Sequence, residues 1–252
     1  MLPIILYNNK LLTATLSESA SAEGYATQNI LDQRTYKYWK AAAGGTNYIQ
    51  GIFGQAEAVN CVGIAGHNFY SVGATVNIKS SIDGGANWVT QATKTPTNNN
   101  VIILSFNSVS AAMWKIEIVN TIGAPQVGVI YVGVYLQFPY PMDAPLEPFA
   151  RSIKADVADS EAGYPLGASL KYSPVEINHT QSNFLRTWFA TYYQPFYELH
   201  GELLKWFFYA PDLTNMPSDA YFCRFKEDYV LRTPASRLDY FDSLTLSLKA
   251  IR

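Results

Sequence analysis

Three histidines, two cysteines and scattered carboxylates are the groups in this 252-residue chain with the chemistry to catalyse or to hold a metal. His67, His179 and His200 stand far apart, and none forms the H-x-x-x-H pair around which a zinc site is built on a helix. There is no G-x-S-x-G elbow, no phosphate-cradling P-loop, and no G-x-G-x-x-G after a strand. Cys61 and Cys223 lie in different halves without a C-x-x-C partner, and read as reduced core thiols. A glycosidase would need two facing carboxylates. Asp156, Asp159, Glu161, Asp212, Asp219, Glu227, Asp228, Asp239 and Asp242 instead sit in turn-like contexts beside Pro, Gly and Ser, where acids are solvated. Glu117 and Glu176 alternate with apolar residues and are expected to point to solvent or to a subunit partner. No catalytic, cofactor-binding or metal-binding residue is expected, and the chain reads as non-enzymatic.

Recognition by aromatic and polar groups is the chemistry that remains. Tyr36, Tyr38 and Trp39 crowd a loop-rich segment, and Phe69-Tyr70 follow His67-Asn68. Tyr38, Trp39, His67 and Asn68 are therefore the candidate carbohydrate contacts. For the aromatics the alternative is core or subunit packing, and for His67 it is bonding of both ring nitrogens to loop backbone. Asn178-His179-Thr180 is an N-x-T sequon, which matters only in a glycosylating host. Asp83 alone carries too little charge for a calcium loop, so Asp83-Gly84-Gly85 reads as a hairpin turn, with Trp88 following to cap the core.

The elements that must position these groups are strands. From 25 to 138, short β-branched runs alternate with Gly, Asn, Ser and Thr. They include 48–53, 59–65, 75–79, 101–104, 114–118 and 128–135. Val76, Ile78 and Ser80 share one face, as do Trp114, Ile116 and Ile118, which is the period of a half-buried strand. The expected fold is mainly β, with an N-terminal jelly-roll sandwich over 25–138. The apolar start, 1–24, is expected to be a first strand or a docking arm. Pro139, Pro141, Pro145 and Pro148 make 139–150 an extended connector.

A smaller, β-rich α+β domain is expected over 151–252. Strands are read at 153–157 and 170–177 around an acidic turn, and at 220–225 and 244–251. Phe184, Leu185, Trp188, Phe189 and Tyr192 paint one face of a helix over about 181–193, capped by Thr180 or Ser182 and ended by Pro195. Trp88, Trp114, Trp188, Phe189 and Trp206 are assigned to the core or to an interface.

Apolar residues make up 48% and charged residues 15% of the chain, below the usual quarter charged. So greasy a composition suggests surface covered by other subunits, and 18 tyrosines with 5 tryptophans suit interface cores. Net charge is −2 with scattered Lys and Arg, which gives nucleic acid no electrostatic footprint. No apolar run reaches the roughly 20 residues that span a bilayer, so no membrane insertion is expected.

Read in order, the first half resembles the discoidin, or coagulation-factor C, type of galactose-binding-like jelly roll. Ala26-Thr27-Gln28-Asn29-Ile30-Leu31-Asp32 is similar to the family's A-x-N-x-x-D segment, and Ser80-Ser81-Ile82-Asp83-Gly84-Gly85-Ala86-Asn87-Trp88 resembles its S-x-D-G-x-x-W pattern. Ala112-Met113-Trp114-Lys115-Ile116 stands where the family has A-R-Y-x-R-I, with Met113 and Lys115 in place of arginines. The chain as a whole also resembles tail-tip (distal-tail-like) proteins of long-tailed bacteriophages. That likeness runs through Ile64-Ala65-Gly66-His67-Asn68, Val127 to Gly133, Tyr209-Ala210-Pro211-Asp212 and Ser243 to Leu248. It implies a virion structural protein assembled in the host cytoplasm, with no cofactor. It further implies a homo-oligomeric ring, six subunits being the candidate number, between the tail tube and the hub or fibre proteins. A host glycan bound by the jelly-roll loops is the rival partner.

Overall fold

The computed structural model describes residues 2–120, 122–143, 153–172 and 174–251. The chain begins with β1 (Ile4–Leu6) and β2 (Thr15–Glu18), then β3 (Trp39–Lys40) and the long β4 (Gly45–Ala65). β5 (Thr75–Ser81) and β6 (Val89–Lys94) form a hairpin, followed by the long β7 (Ile102–Asn120). Short strands β8 (Gln126–Val127), β9 (Val129–Gly133) and β10 (Leu136–Gln137) close this stretch. A hairpin of β11 (Lys154–Asp159) and β12 (Pro165–Tyr172) leads to β13 (Val175–Leu185). After a helical run come β14 (Phe207–Ala210), β15 (Tyr221–Phe225) and β16 (Tyr240–Ile251).

Two long strands build the jelly roll by serving both of its layers. β4 and β7 pair first over Gly45–Ile52 against Met113–Asn120, then over Glu57–Ile64 against Ile102–Ala111, with register breaks between. Such breaks bend a strand, and here they let one pair turn the corner of the sandwich. β2, β5 and β6 extend the first limb, and β9 extends the second along β4. Ile49, Val76, Ile78, Trp114 and Ile116 of the first limb meet Val62, Ile64, Ile102, Leu104, Ile130 and Val132 of the second in one buried cluster.

The second limb has a further apolar face. Cys61, Ala65, Ile103, Val129 and Tyr131 pack there against Ile4, Leu6, Phe208, Ala210 and Phe222 of another sheet, ordered β10-β1-β14-β15-β16-β13. The opposite face of that sheet buries Ile5, Phe207, Tyr209, Tyr221, Cys223, Phe225 and Leu246 beneath the helical run at 186–201. The layers thus run sheet, sheet, sheet, helix. Strands β9 and β14 are buried on both faces, which is why they read as unbroken apolar runs. Burial between layers inside one chain therefore accounts for much of the low charge that the composition alone assigned to subunit contacts.

The N-terminal 24 residues divide between the two halves, β1 joining the second sheet and β2 the first. Of the proline connector, 144–150 lies outside the described residues, while Pro139 and Pro141 flank Tyr140, whose carbonyl accepts a bond from Gln181 Nε2 at 2.5 Å.

The helix expected over 181–193 is corrected. Residues 175–185 are strand, with Thr180, Gln181 and Ser182 opposite Thr245, Leu244 and Ser243. Val175, Ile177, His179 and Gln181 are the buried side of that strand. Two polar residues at inward positions disguised its period of two. Helix begins at Arg186, widens into π turns at Phe189–Tyr193 and Tyr197–Gly201, and passes through Pro195 rather than stopping there. Pro195 lies in the α turn Gln194–Phe196 between the two π turns. Trp88 is corrected too: it caps no core cluster, and its half-buried ring lies 3.8 Å from the Lys115 ammonium.

Candidate functional site

The loops singled out for recognition do come together. A Cβ at Gly66 would lie 2.9 Å from Thr35 Cβ, and one at Gly128 would lie 2.7 Å from the Thr35 carbonyl oxygen. The segment carrying Tyr36 and Tyr38 therefore packs directly on the loop carrying His67. Most of the candidate contacts there are already engaged. Trp39 is fully buried, with its indole N–H donated to the Glu18 carboxylate. His67 is 5% exposed and its Nε2 meets the Asn100 carbonyl at 2.7 Å. Its Nδ1 accepts the Phe69 N–H at 3.3 Å, and burial pushes its pKa down to about 4. Asn68 donates to the Ala124 carbonyl and accepts from the Gln126 N–H, stapling two loops. Among the aromatics singled out, Tyr36 and Tyr70 are 70% and 57% exposed, and the half-buried Tyr38 stacks on Tyr25 with ring centroids 4.9 Å apart.

Of the other histidines, His179 is bonded, while the half-buried His200 has a buried Nδ1 without a hydrogen-bond partner among the described residues. His179 is buried beneath the second sheet with Nδ1 against the Tyr209 hydroxyl, and His200 packs edge-on to Tyr7. Burial holds both near a pKa of about 4, so all three rings are neutral at pH 7. Glu117 pairs with Lys79, and Glu176 with Lys226 at 2.7 Å. Cys61 and Cys223 are free, buried thiols whose pKa burial raises, so neither is a nucleophile as it stands. Trp114 is core; Trp188 and Trp206 are half-buried, Trp206 stacking on Phe222 at 5.1 Å, and Phe189 is 9% exposed.

The strands expected at 153–157 and 170–177 around an acidic turn form the β11–β12 hairpin, with the second strand corrected to 165–172 and β13 beginning only at Val175; what the sequence reading missed is the exposed apolar face of this hairpin. Its register puts Ala155 opposite Leu170 and Val157 opposite Ala168. With Leu166 two residues before Ala168, one face of the hairpin is entirely apolar. The other face carries Asp156, Ser169 and Lys171, with an Asp156–Lys171 ion pair at 2.7 Å. In an isolated domain the apolar face would lie on a core. Here Val157, Leu166 and Leu170 are 67%, 70% and 63% exposed. The hairpin is a two-stranded sheet of its own, and no core cluster of the described residues includes it. The alternation Ala155-x-Val157 and Leu166-x-Ala168-x-Leu170 was visible in sequence; that none of the described residues covers it was not.

Among the described residues no group of three His, Cys, Asp or Glu side chains is placed to hold a metal. No protein-family model and no curated protein matches this sequence. Solved carbohydrate-binding modules are similar to about half of it. Chitosan-binding module 1 of a chitosanase/glucanase from Paenibacillus sp. IK-5 shares 20% identity over 51% of this chain and 100% of that one, at a TM-score of 0.46. A module from Clostridium perfringens, solved with GalNAc-β-1,3-galactose, shares 13% over 49% of this chain and 97% of that one, at 0.43. The module of AlyQ, solved with 4,5-unsaturated mannuronic acid, shares 20% identity with this chain, covering 50% of it and 96% of the module, at a TM-score of 0.41.

Proposed function

We propose that this chain is a non-enzymatic structural subunit that assembles with copies of itself into a ring. The phage tail-tip proteins that its sequence resembles are the setting: a ring in the virion, between the tail tube and the hub or fibre proteins. One observation carries the reading. An amphipathic hairpin with its apolar face in water is not stable as a free two-stranded unit, and a face of that kind marks an interaction surface. The engagement of His67 and His179 by neighbouring groups and the burial of both cysteines support the non-enzymatic part. The test is light scattering behind size exclusion on the whole chain. A mass that is a multiple of 28.0 kDa, reduced to one copy by Val157→Asp with Leu170→Asp, is the expected result. A wild-type chain that stays monomeric at tens of micromolar would overturn it.

A second reading concerns the outward loops. Tyr36 and the Tyr25–Tyr38 stack present aromatic faces of the sort on which sugar rings lie, and they suit a host glycan as an additional partner. A glycan array probed with the wild type and with Tyr36→Ala plus Tyr38→Ala tests it: hits lost in the double variant support it, and an array without hits dismisses it.

A further inference from the structure

Resting on the self-assembly reading, we infer where the hairpin goes: into the cleft at the junction of the two halves of the next copy. That cleft has a volume of about 290 Å³ and is lined by Tyr7, Leu12, Tyr131 and Leu199, together with the polar Asn8, Asn9, Gln33, His200 and Lys205. An apolar site of about 150 Å³ accepts one benzene-sized group, so this one has room for about two side chains the size of those on the hairpin. Leu12 and Leu199 line it while 65% and 55% exposed, so the cleft and the hairpin are two mainly apolar surfaces that no described residue covers.

Charge favours the same match. Asp159 and Glu161 stand at the hairpin's turn, and Lys205, which has no ion pair among the described residues, lines the cleft. The walls are also firm. Gln33 donates to the Tyr131 hydroxyl at 2.9 Å and accepts the Trp206 N–H at 3.2 Å. Asn9 spans Ile130 and Val132. The cleft is therefore preformed rather than opened by its occupant. The larger groove beside Val230, Arg232 and Pro234 is a poorer receiver, since Ser243 and Thr245 line it with hydroxyls.

Hairpin and cleft are different patches of one surface, so their contact is head-to-tail, the kind that closes into rings when the rotation permits. A hairpin pairing with another hairpin would instead stop at a two-fold dimer.

The experiment is disulfide trapping in the full chain, where the buried native thiols give little background. Val157→Cys with Leu199→Cys should yield, under mild oxidation, a ladder of covalent multimers reaching the size of the native oligomer, while each single variant stays monomeric on a non-reducing gel. Leu199→Asp should weaken association at least tenfold with the circular dichroism spectrum and melting temperature kept, and Val230→Asp should not. An oligomer that forms and is lost on hairpin substitution, yet ignores Leu199→Asp or yields to Val230→Asp, overturns the cleft while sparing self-assembly. Covalent dimers from Val157→Cys alone would place hairpin on hairpin and also overturn it. A wild type that never associates sinks both readings together.

Discussion

Gly63 lies flat against the ring of Phe208: a Cβ built on Gly63 would sit 2.6 Å from Phe208 Cγ and 2.7–2.8 Å from both Cδ atoms. Gly63 belongs to β4 of the jelly roll, and Phe208 to β14 of the second sheet. The fully buried phenylalanine contacts Tyr131 and Phe222 ring to ring, at centroid distances of 5.2 and 4.8 Å. The two halves are thus keyed together by an absent side chain on one and a large ring on the other.

Gly63→Ala should accordingly destabilise the whole chain by about 1–3 kcal/mol, because the ring has no free space to enter. Phe208→Ala should cost about 3–5 kcal/mol through cavity formation. In the double variant the new methyl group occupies part of that cavity, so the sum of the single effects should overshoot the measured total by more than 0.5 kcal/mol, a coupling typical of touching residues. Urea unfolding of the four proteins gives the cycle. Additive losses would mean that the layers do not press on each other at this point.

That joint shows what the sequence conceals. The inward faces of β5, β7 and β16 were legible, because Val76-x-Ile78, Trp114-x-Ile116-x-Ile118 and Leu244-x-Leu246-x-Leu248 alternate with polar residues. β9 and β14 are covered on both sides, so they carry no alternation to say which layer they face. The end of strand β13, 181–185, was mistaken for helix because His179 and Gln181 are polar residues pointing inward, a tertiary choice that local pattern cannot carry. Among the recognition residues, Trp39, His67 and Asn68 looked available since their partners, Glu18, Asn100 and Ala124, are remote in sequence. The hairpin is the reverse case: its apolar face was readable, and only the absence of a covering layer among the described residues singles it out.

Gln33 ties the same two halves by polar contacts. Its amide donates to Tyr131 and accepts from the Trp206 backbone, while the Tyr131 hydroxyl donates to the Trp206 carbonyl at 3.1 Å. Gln33→Ala strands the Trp206 N–H and should cost about 1–3 kcal/mol, whereas Gln33→Glu, which keeps an acceptor for that N–H, should cost less than the alanine. Thermal melts rank the two, and equal losses would show that the Trp206 bond contributes nothing.

The histidines set a pH response with a definite sign. Their folded pKa values, about 4, lie below the ordinary value near 6.5. The unfolded chain therefore binds more protons than the folded one between those limits. Stability is full above pH 6.5, falls as pH drops through this window, and stops falling on their account below about 4. A fully shifted histidine contributes a slope of about 1.4 kcal/mol per pH unit. His179→Gln should flatten the dependence of the urea midpoint on pH between 4.5 and 6.5. A wild-type midpoint unchanged across that window would contradict the burial of these rings.

Backbone exchange separates a hairpin that waits for a partner from one that is merely exposed. In the free subunit the ladder bonds between β11 and β12 and the turn bonds at 160–164 protect its amides, and local opening of a unit with no core of described residues beneath it costs little. Exchange at 154–172 should therefore be among the fastest in any strand, well ahead of β9 and β14, which are buried on both faces. Concentrating the protein into its assembled form should slow exchange of the hairpin amides at least tenfold, since opening must then also break the contact with the next copy. The amides around Tyr36 and Tyr38, on the outward loops, should keep their rates. Protection confined to those loops, with the hairpin still exchanging as fast as in the dilute protein, would mean that association runs through the jelly-roll surface and that the apolar face of the hairpin is left in water.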